Sequence, residues 1–275
     1  MKDADFLGCI PSQRKPTIPS YDAIAEFYDE DMGRNNPGRD IAFYCMYAAT
    51  APGPVLELGC GTGRITLPMV QRGATVHGLD ASLPMLRELE RKARQLLTGT
   101  ERARLQLYWA DMCDMELRER FALILCPFSA FNYVVDEPDR TRMLQNVRAH
   151  LDGNGLFILD TFIPHYEDLL LPDDHINFDY RRQTEDGMVL EREKTIHKDL
   201  TRQINIVNRT YRFWDAGAGL VRQLTTSERI RYYFFSELKL LLEHHGFVVE
   251  REYGDFDGGS YDYRASTMAF VCRIK

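Results

Sequence analysis

The stretch Val55-Leu56-Glu57-Leu58-Gly59-Cys60-Gly61-Thr62-Gly63-Arg64 constrains this chain more than any other. From Pro54 to Leu58 it is apolar except for Glu57, which reads as a buried strand with one carboxylate near its carboxyl end. Glycines at 59, 61 and 63 then alternate with other residues. Glycine permits positive φ and lets a ligand approach without a Cβ in the way. A helix expected over about Arg64 to Arg72 aims its first NH groups at the same spot. A pyrophosphate favours a turn free of negative charge, and Glu57 places a carboxylate there. The turn therefore suits a ligand carrying a positive group.

The surrounding pattern alternates strands with helices. Strands are expected over 74–80, 105–109, 121–126 and 155–161, and helices over 82–97 and 137–151. Such alternation implies a parallel sheet covered by helices on both faces, with right-handed crossovers. Ahead of it, Ser20 caps a helix from Tyr21 to Asp29 on which Tyr21, Ile24 and Tyr28 share a face, and 37–50 reads as a second helix. Between 176 and 234 the rhythm becomes extended throughout, with Asp186-Gly187 as a hairpin turn. A helix over 236–245 stops at Gly246, and strands over 247–253 and 268–274 finish the chain.

Composition narrows the partners. A net charge of −7 speaks against a nucleic-acid polyanion, whose binders present a basic face. The six cysteines form no C-x-x-C pair and several lie in apolar stretches, which points to a reducing, cytoplasmic setting. No run approaches the roughly 20 apolar residues of a membrane span. His77, His165, His175 and His197 lack metal-ligand spacing, so no metal is expected.

The spacing Gly-x-Gly-x-Gly, preceded by an acid, differs from the G-x-G-x-x-G of dinucleotide sites. It resembles motif I of the class I S-adenosylmethionine-dependent methyltransferases, whose cofactor carries an ammonium and a sulfonium. Over Tyr21 to the carboxyl terminus, the chain is similar to their small-molecule group with an antiparallel insertion, such as the aminosugar N,N-dimethyltransferases and uncharacterised bacterial relatives. The resemblance implies an α/β fold. Its core is a seven-stranded, mostly parallel, Rossmann-like methyltransferase sheet with the last strand antiparallel, joined by a small antiparallel β insertion. Residues 1–19 are expected to form a flexible leader, 20–170 with 235–275 the methyltransferase domain, and 175–234 an insertion that makes a substrate lid.

The resemblance also assigns residues. S-adenosylmethionine is expected to meet Glu57, Gly59, Cys60, Gly61, Gly63 and Arg64 at the turn, and Asp80, Ala81 and Met85 after the second strand. Asp80 matches the acid that holds both ribose hydroxyls; its other reading is a cap for the next helix. Ala110, Asp111 and Met112 match the adenine position, with a solvated loop as the alternative. Cys126 and Phe128 fall by the methionine part, and Tyr28 matches a cofactor-contacting helix tyrosine.

Acceptor residues are expected to be Phe131, Asn132, Arg231, Tyr233 and Tyr261, with Tyr21 and Tyr133 as candidate bases. For the arginine and its neighbours the rival reading is a salt-bridged edge strand. No histidine lies between Phe128 and Arg148, where the aminosugar enzymes place a base. The implied activity is methyl transfer to a nitrogen or oxygen of a small molecule. Alternatives are methylation of tRNA or protein, or non-catalytic cofactor binding. Exposed insertion strands leave a homodimer open.

Overall fold

The computed structural model describes residues 7–9, 18–32, 38–184 and 186–275. They fall into two compact units, one running to Ile163 and resuming at Phe234, the other spanning Pro164–Tyr233. In chain order the elements are β1 (Leu7–Cys9), α1 (Pro19–Ile24), α2 (Tyr28–Met32), α3 (Arg39–Thr50), β2 (Val55–Leu58), α4 (Thr66–Gln71), β3 (Val76–Asp80), α5 (Leu83–Leu96), α6 (Gly99–Arg102), β4 (Leu105–Trp109), β5 (Phe121–Cys126), α7 (Glu137–His150) and β6 (Leu151–Thr161). There follow α8 (Tyr166–Leu170), β7 (Asn177–Gln183), β8 (Val189–Asp199), β9 (Ile204–Asp215) and β10 (Gly219–Arg231), then α9 (Phe235–His244), β11 (Phe247–Tyr253) and β12 (Met268–Ile274).

The first unit is built on a sheet of order β1-β4-β3-β2-β5-β6-β12-β11, parallel except for β12. β2 and β5 are buried along their whole length, as continuous apolar runs covered on both faces must be. From β2 the chain steps outward to β3 and β4, then returns to place β5 on the other side. The strand order therefore reverses at the carboxyl ends of β2 and β5, where open α/β sheets form a binding crevice.

Helix α5 shows why the flanking elements form where they do. Ser82 caps it by accepting from the Met85 amide at 3.3 Å, and a proline occupies its first turn. Leu86, Leu89 and Ala93 lie on one face and are fully buried. Each buried leucine contributes about 1.5–3 kcal/mol. After α9, Gly246 takes φ +81 and stops the helix, as its sequence predicts.

The structure departs from the sequence expectations at three places. The main sheet has eight strands, because Leu7–Cys9 pairs in parallel with β4; the rest of the 1–19 leader up to residue 17 lies outside the described residues. Three residues carry too little periodicity to announce a strand. The helix expected over 21–29 with Ser20 as its cap begins instead at Pro19, with Ile18 in the cap position because proline suits a first turn, and it is interrupted by a 3-10 turn at Ala25–Phe27. The second unit begins before 175, because Lys198 on β8 donates to the Leu171 carbonyl at 2.6 Å and the Asp174 amide to the Ile196 carbonyl at 3.0 Å. That unit is a four-stranded antiparallel sheet of order β10-β9-β8-β7, with Gly187 at φ +87 in the Asp186-Gly187 hairpin. Among the described residues, no helix is long and apolar enough to cross a membrane, and no cluster of three or more His, Cys, Asp or Glu could hold a metal ion.

Candidate active site

A cavity of about 390 Å³ opens at the carboxyl ends of β2, β3, β4 and β5. Gly59 and Gly61 form its floor; Leu79, Asp80, Ala81 and Met85 form one side, and Ala110, Asp111 and Met112 another. Pro127, Phe128 and Ala130 come from the segment after β5, followed by Tyr133, Val134, Val135, Asp136 and Asp139. Ile18, Tyr21 and Tyr28 complete the wall from the amino-terminal segment.

The glycine turn is fixed by backbone hydrogen bonds. The Gly59 and Cys60 amides donate to the Leu79 carbonyl at 2.8 and 3.1 Å, which pins the end of β2 to β3. The Gly61 amide donates to Asp80 Oδ2, and the Ser82 amide to Asp80 Oδ1, both at 2.7 Å. Asp80 is thereby held by backbone on both oxygens, while the cap of α5 falls to Ser82 itself. A carboxylate has about four acceptor sites, so room remains for ligand hydroxyls. Burial lifts the Asp80 carboxyl to about 6, against the pull of those two amides. On the neighbouring wall Asp111 Oδ1 accepts from the Cys113 amide at 2.8 Å.

The amino-terminal segment is strapped on by its side chains. Asp22 accepts from the Ser82 hydroxyl, and Asp29 from the Thr62 hydroxyl and Lys92 Nζ, each at 2.6 Å. Thr62 lies within the glycine turn and Ser82 is the cap of α5, so the strap is registered against the cavity. The Tyr21 hydroxyl donates to that of Tyr133 at 2.7 Å, with the rings edge to face 5.5 Å apart. Tyr21 also packs edge to face on Tyr28 at 5.8 Å. Burial pushes the Tyr28 hydroxyl well above its ordinary range.

The cavity wall thus gathers Tyr21, Tyr28, Gly59, Gly61, Asp80, Ala81, Met85, Ala110, Asp111, Met112, Phe128 and Tyr133. Other expected site residues are not among those that line it. Glu57 is buried behind the turn, where its Oε2 accepts from the Thr66 hydroxyl of α4 at 2.5 Å. Burial raises that carboxyl to about 8, although Thr66 and Arg64 oppose the shift. Gly63 packs against Leu89 of α5, and Cys60 against Gly78 of β3. Arg64 makes a forked pair with Asp40 at 3.0 and 2.6 Å and sits 4.6 Å over the Phe128 ring, so it supports the wall from outside. Cys126 and Phe131 are fully buried, and Asn132 Nδ2 donates to Thr161 Oγ1 at 3.4 Å. Tyr261 stacks on Phe235 at 4.1 Å. Arg231 and Tyr233 belong to the second unit, where the Arg231 guanidinium donates to the Arg202 carbonyl and lies 5.2 Å over the Tyr233 ring.

Asp160 is the residue that sequence reasoning missed. It ends β6, and its Oδ1 and Oδ2 accept from the Phe128 and Ser129 amides at 2.7 and 3.1 Å. The Tyr44 hydroxyl donates to the same Oδ1. The signal was present, since an acid closing a buried apolar strand is also what marked Asp80.

The chain resembles known proteins in both sequence and fold. Residues 55–155 match the family model of a methyltransferase domain. An uncharacterized methyltransferase of a Geobacillus species is 34% identical over 157 residues, covering 57% of this chain and 68% of that one. The dTDP-3-amino-3,6-dideoxy-alpha-D-glucopyranose N,N-dimethyltransferase of Streptomyces fradiae is 25% identical over 142 residues, covering 50% of this chain and 52% of that enzyme. The chain spans about half the length of that relative. The CcbJ methyltransferase of Streptomyces caelestis has the same fold, with a TM-score of 0.75 and 25% identity over 93% of this chain and 98% of that one.

Proposed function

The chain belongs to the S-adenosylmethionine-dependent methyltransferases, and on that footing we propose that it methylates a nitrogen or oxygen atom of a small molecule. The observation that carries this reading is a cavity with a backbone-locked carboxylate on one wall and a tyrosine hydroxyl pair on another. The Streptomyces fradiae relative is named for N,N-dimethylation of an aminosugar, and this supports an amine acceptor.

The residues fit the cofactor on their own chemistry. Asp80 would accept from two ribose hydroxyls, because its carboxylate is already oriented by Gly61 and Ser82. Asp111 would accept from the adenine amine, with Met85, Ala110 and Met112 supplying apolar contact to the ring. Gly59 and Gly61 leave the floor free of Cβ atoms. When bound, S-adenosylmethionine supplies an electrophilic methyl group on a sulfonium.

The remaining work of the chain is alignment and exclusion of water. Tyr21 and Tyr28 cover the cavity and are held there through the Asp22 and Asp29 anchors. Tyr133 accepts a hydrogen bond from the Tyr21 hydroxyl and faces the cavity, where it would orient the acceptor. Cys45, Cys60, Cys113, Cys126 and Cys272 are free and buried, which supports a reducing, cytoplasmic setting.

The test is calorimetry with S-adenosylhomocysteine, followed by turnover of S-adenosylmethionine over a panel of small amines, alcohols and carboxylates. Cofactor-product binding with methylated product from one of these classes supports the reading. No binding, or turnover confined to RNA or protein, sinks it.

A further inference from the structure

The segment after β5 adopts a conformation that its residues would not choose. Phe128 has φ +54 and Ser129 has φ +59, two successive non-glycine residues in the left-handed region. For a bulky side chain such as Phe that region is a genuine outlier, and it persists only where the surroundings impose it. The surroundings here are the end of β6. Both oxygens of Asp160 accept from the two strained amides, the Phe162 amide donates to Ser129 Oγ at 3.0 Å, and the Tyr44 hydroxyl secures Asp160 from α3. Asp160 is almost fully buried, so no water competes for these bonds.

What this turn holds is the cavity wall. Phe128 and Ala130 line the cavity, and the 3-10 turn Ala130–Tyr133 that begins at Ser129 delivers Tyr133 to it. We infer that Asp160, secured by Tyr44, is a positioning residue for the methyl-transfer site: it clamps the left-handed Phe128-Ser129 turn and thereby sets both the Phe128 wall and the Tyr133 hydroxyl. Neither Asp160 nor Tyr44 lines the cavity, so the effect is transmitted through the backbone. The inference rests on the proposed cofactor site for its functional consequence, while the clamp itself is a property of the free protein.

Asp160→Asn keeps the shape but replaces one acceptor oxygen with an NH2 that meets a backbone NH. Ser129→Gly removes the penalty of positive φ at one of the two strained positions, and with it the Oγ that accepts from the Phe162 amide, so the effect of Asp160→Asn is also read in that background. The first measurement is amide hydrogen exchange without ligand. The Phe128 and Ser129 amides are protected in the wild type and exchange faster in Asp160→Asn, with Tyr44→Phe giving a smaller change that serves if the first variant does not fold.

The second measurement is calorimetry with S-adenosylhomocysteine. Asp160→Asn weakens binding by about tenfold, and by much less in the Ser129→Gly background, where the turn no longer has to be forced. Unchanged protection in both variants overturns the clamp. Intact affinity in Asp160→Asn, or a loss of the same size in the Ser129→Gly background, overturns its role at the site. If the wild type fails to bind while the exchange pattern holds, the clamp stands and the cofactor assignment fails.

Discussion

The Gly61 amide donates to Asp80 Oδ2 at 2.7 Å, and this single bond ties the glycine-rich turn after β2 to the acid that ends β3. It orients the carboxylate before any ligand arrives, and preorganisation of this kind lowers the ordering cost of binding.

Asp80 makes cofactor affinity depend on pH. Its carboxyl titrates at about 6 because burial raises it, against the Ser82 and Gly61 amides. Ligand hydroxyls donate to the ionised form, so affinity for S-adenosylhomocysteine is full above about pH 7 and declines as pH falls through about 6. Asp80→Asn lowers affinity at neutral pH by about tenfold or more and flattens this profile. Calorimetry across the range checks both effects; a wild-type profile that is already flat would refute the assignment.

Glu57 sets a different pH dependence, in stability. Its carboxyl is raised from the ordinary 4.5 to about 8, first by burial. The folded state therefore holds a proton that the unfolded chain releases. The associated stability is fully present below about 4.5 and is lost as pH rises through about 8. In Glu57→Gln that loss is absent, so the melting temperature of the variant rises relative to wild type between about pH 5 and about pH 8.5. Parallel melting curves across that range would argue against the protonated form.

Two glycines of the same turn separate folding from binding. A Cβ on Gly63 would lie 2.1 Å from Leu89 Cδ1 at φ +86, whereas one on Gly61 meets nothing within 4 Å at φ +53. Gly63→Ala destabilises by about 3 kcal/mol through overpacking and backbone strain. Gly61→Ala costs about 1 kcal/mol in stability, and its methyl faces the cavity, so it weakens cofactor binding instead. Denaturant melts and calorimetry on the two variants test the contrast, which equal stability losses would contradict.

The Tyr21–Tyr133 pair predicts a split between chemistry and binding. Tyr133→Phe removes the hydroxyl that accepts the Tyr21 hydrogen bond. With an acceptor found in the turnover screen, kcat falls by roughly tenfold or more, while affinity for S-adenosylhomocysteine changes by less than about threefold. A fall in affinity as large as the fall in kcat would assign Tyr133 to cofactor binding alone.

Much of this was legible along the chain. The run ending in Glu57 and three glycines marked the strand–turn–helix unit, and acids closing successive strands marked Asp80 and Asp111 on the cavity wall. Local signals suffice there, because apolar periodicity records which face is buried and glycine records where φ turns positive. The Asp186-Gly187 hairpin and the Gly246 stop were readable for the same reason.

The tertiary structure decided what those residues face. Glu57 stood in the expected element, but it bonds Thr66 behind the turn; Arg64, next to the motif, is taken by Asp40 and braces Phe128. The Leu7–Cys9 strand exists only because β4 offers an edge, and the Phe128-Ser129 turn only because Asp160 arrives from a strand some thirty residues later. Sequence determined the elements and their apolar faces, since those depend on neighbours a few residues apart. Sheet order determined the partners of the polar side chains, since only the folded arrangement brings the ends of β2, β3, β5 and β6 into hydrogen-bonding reach.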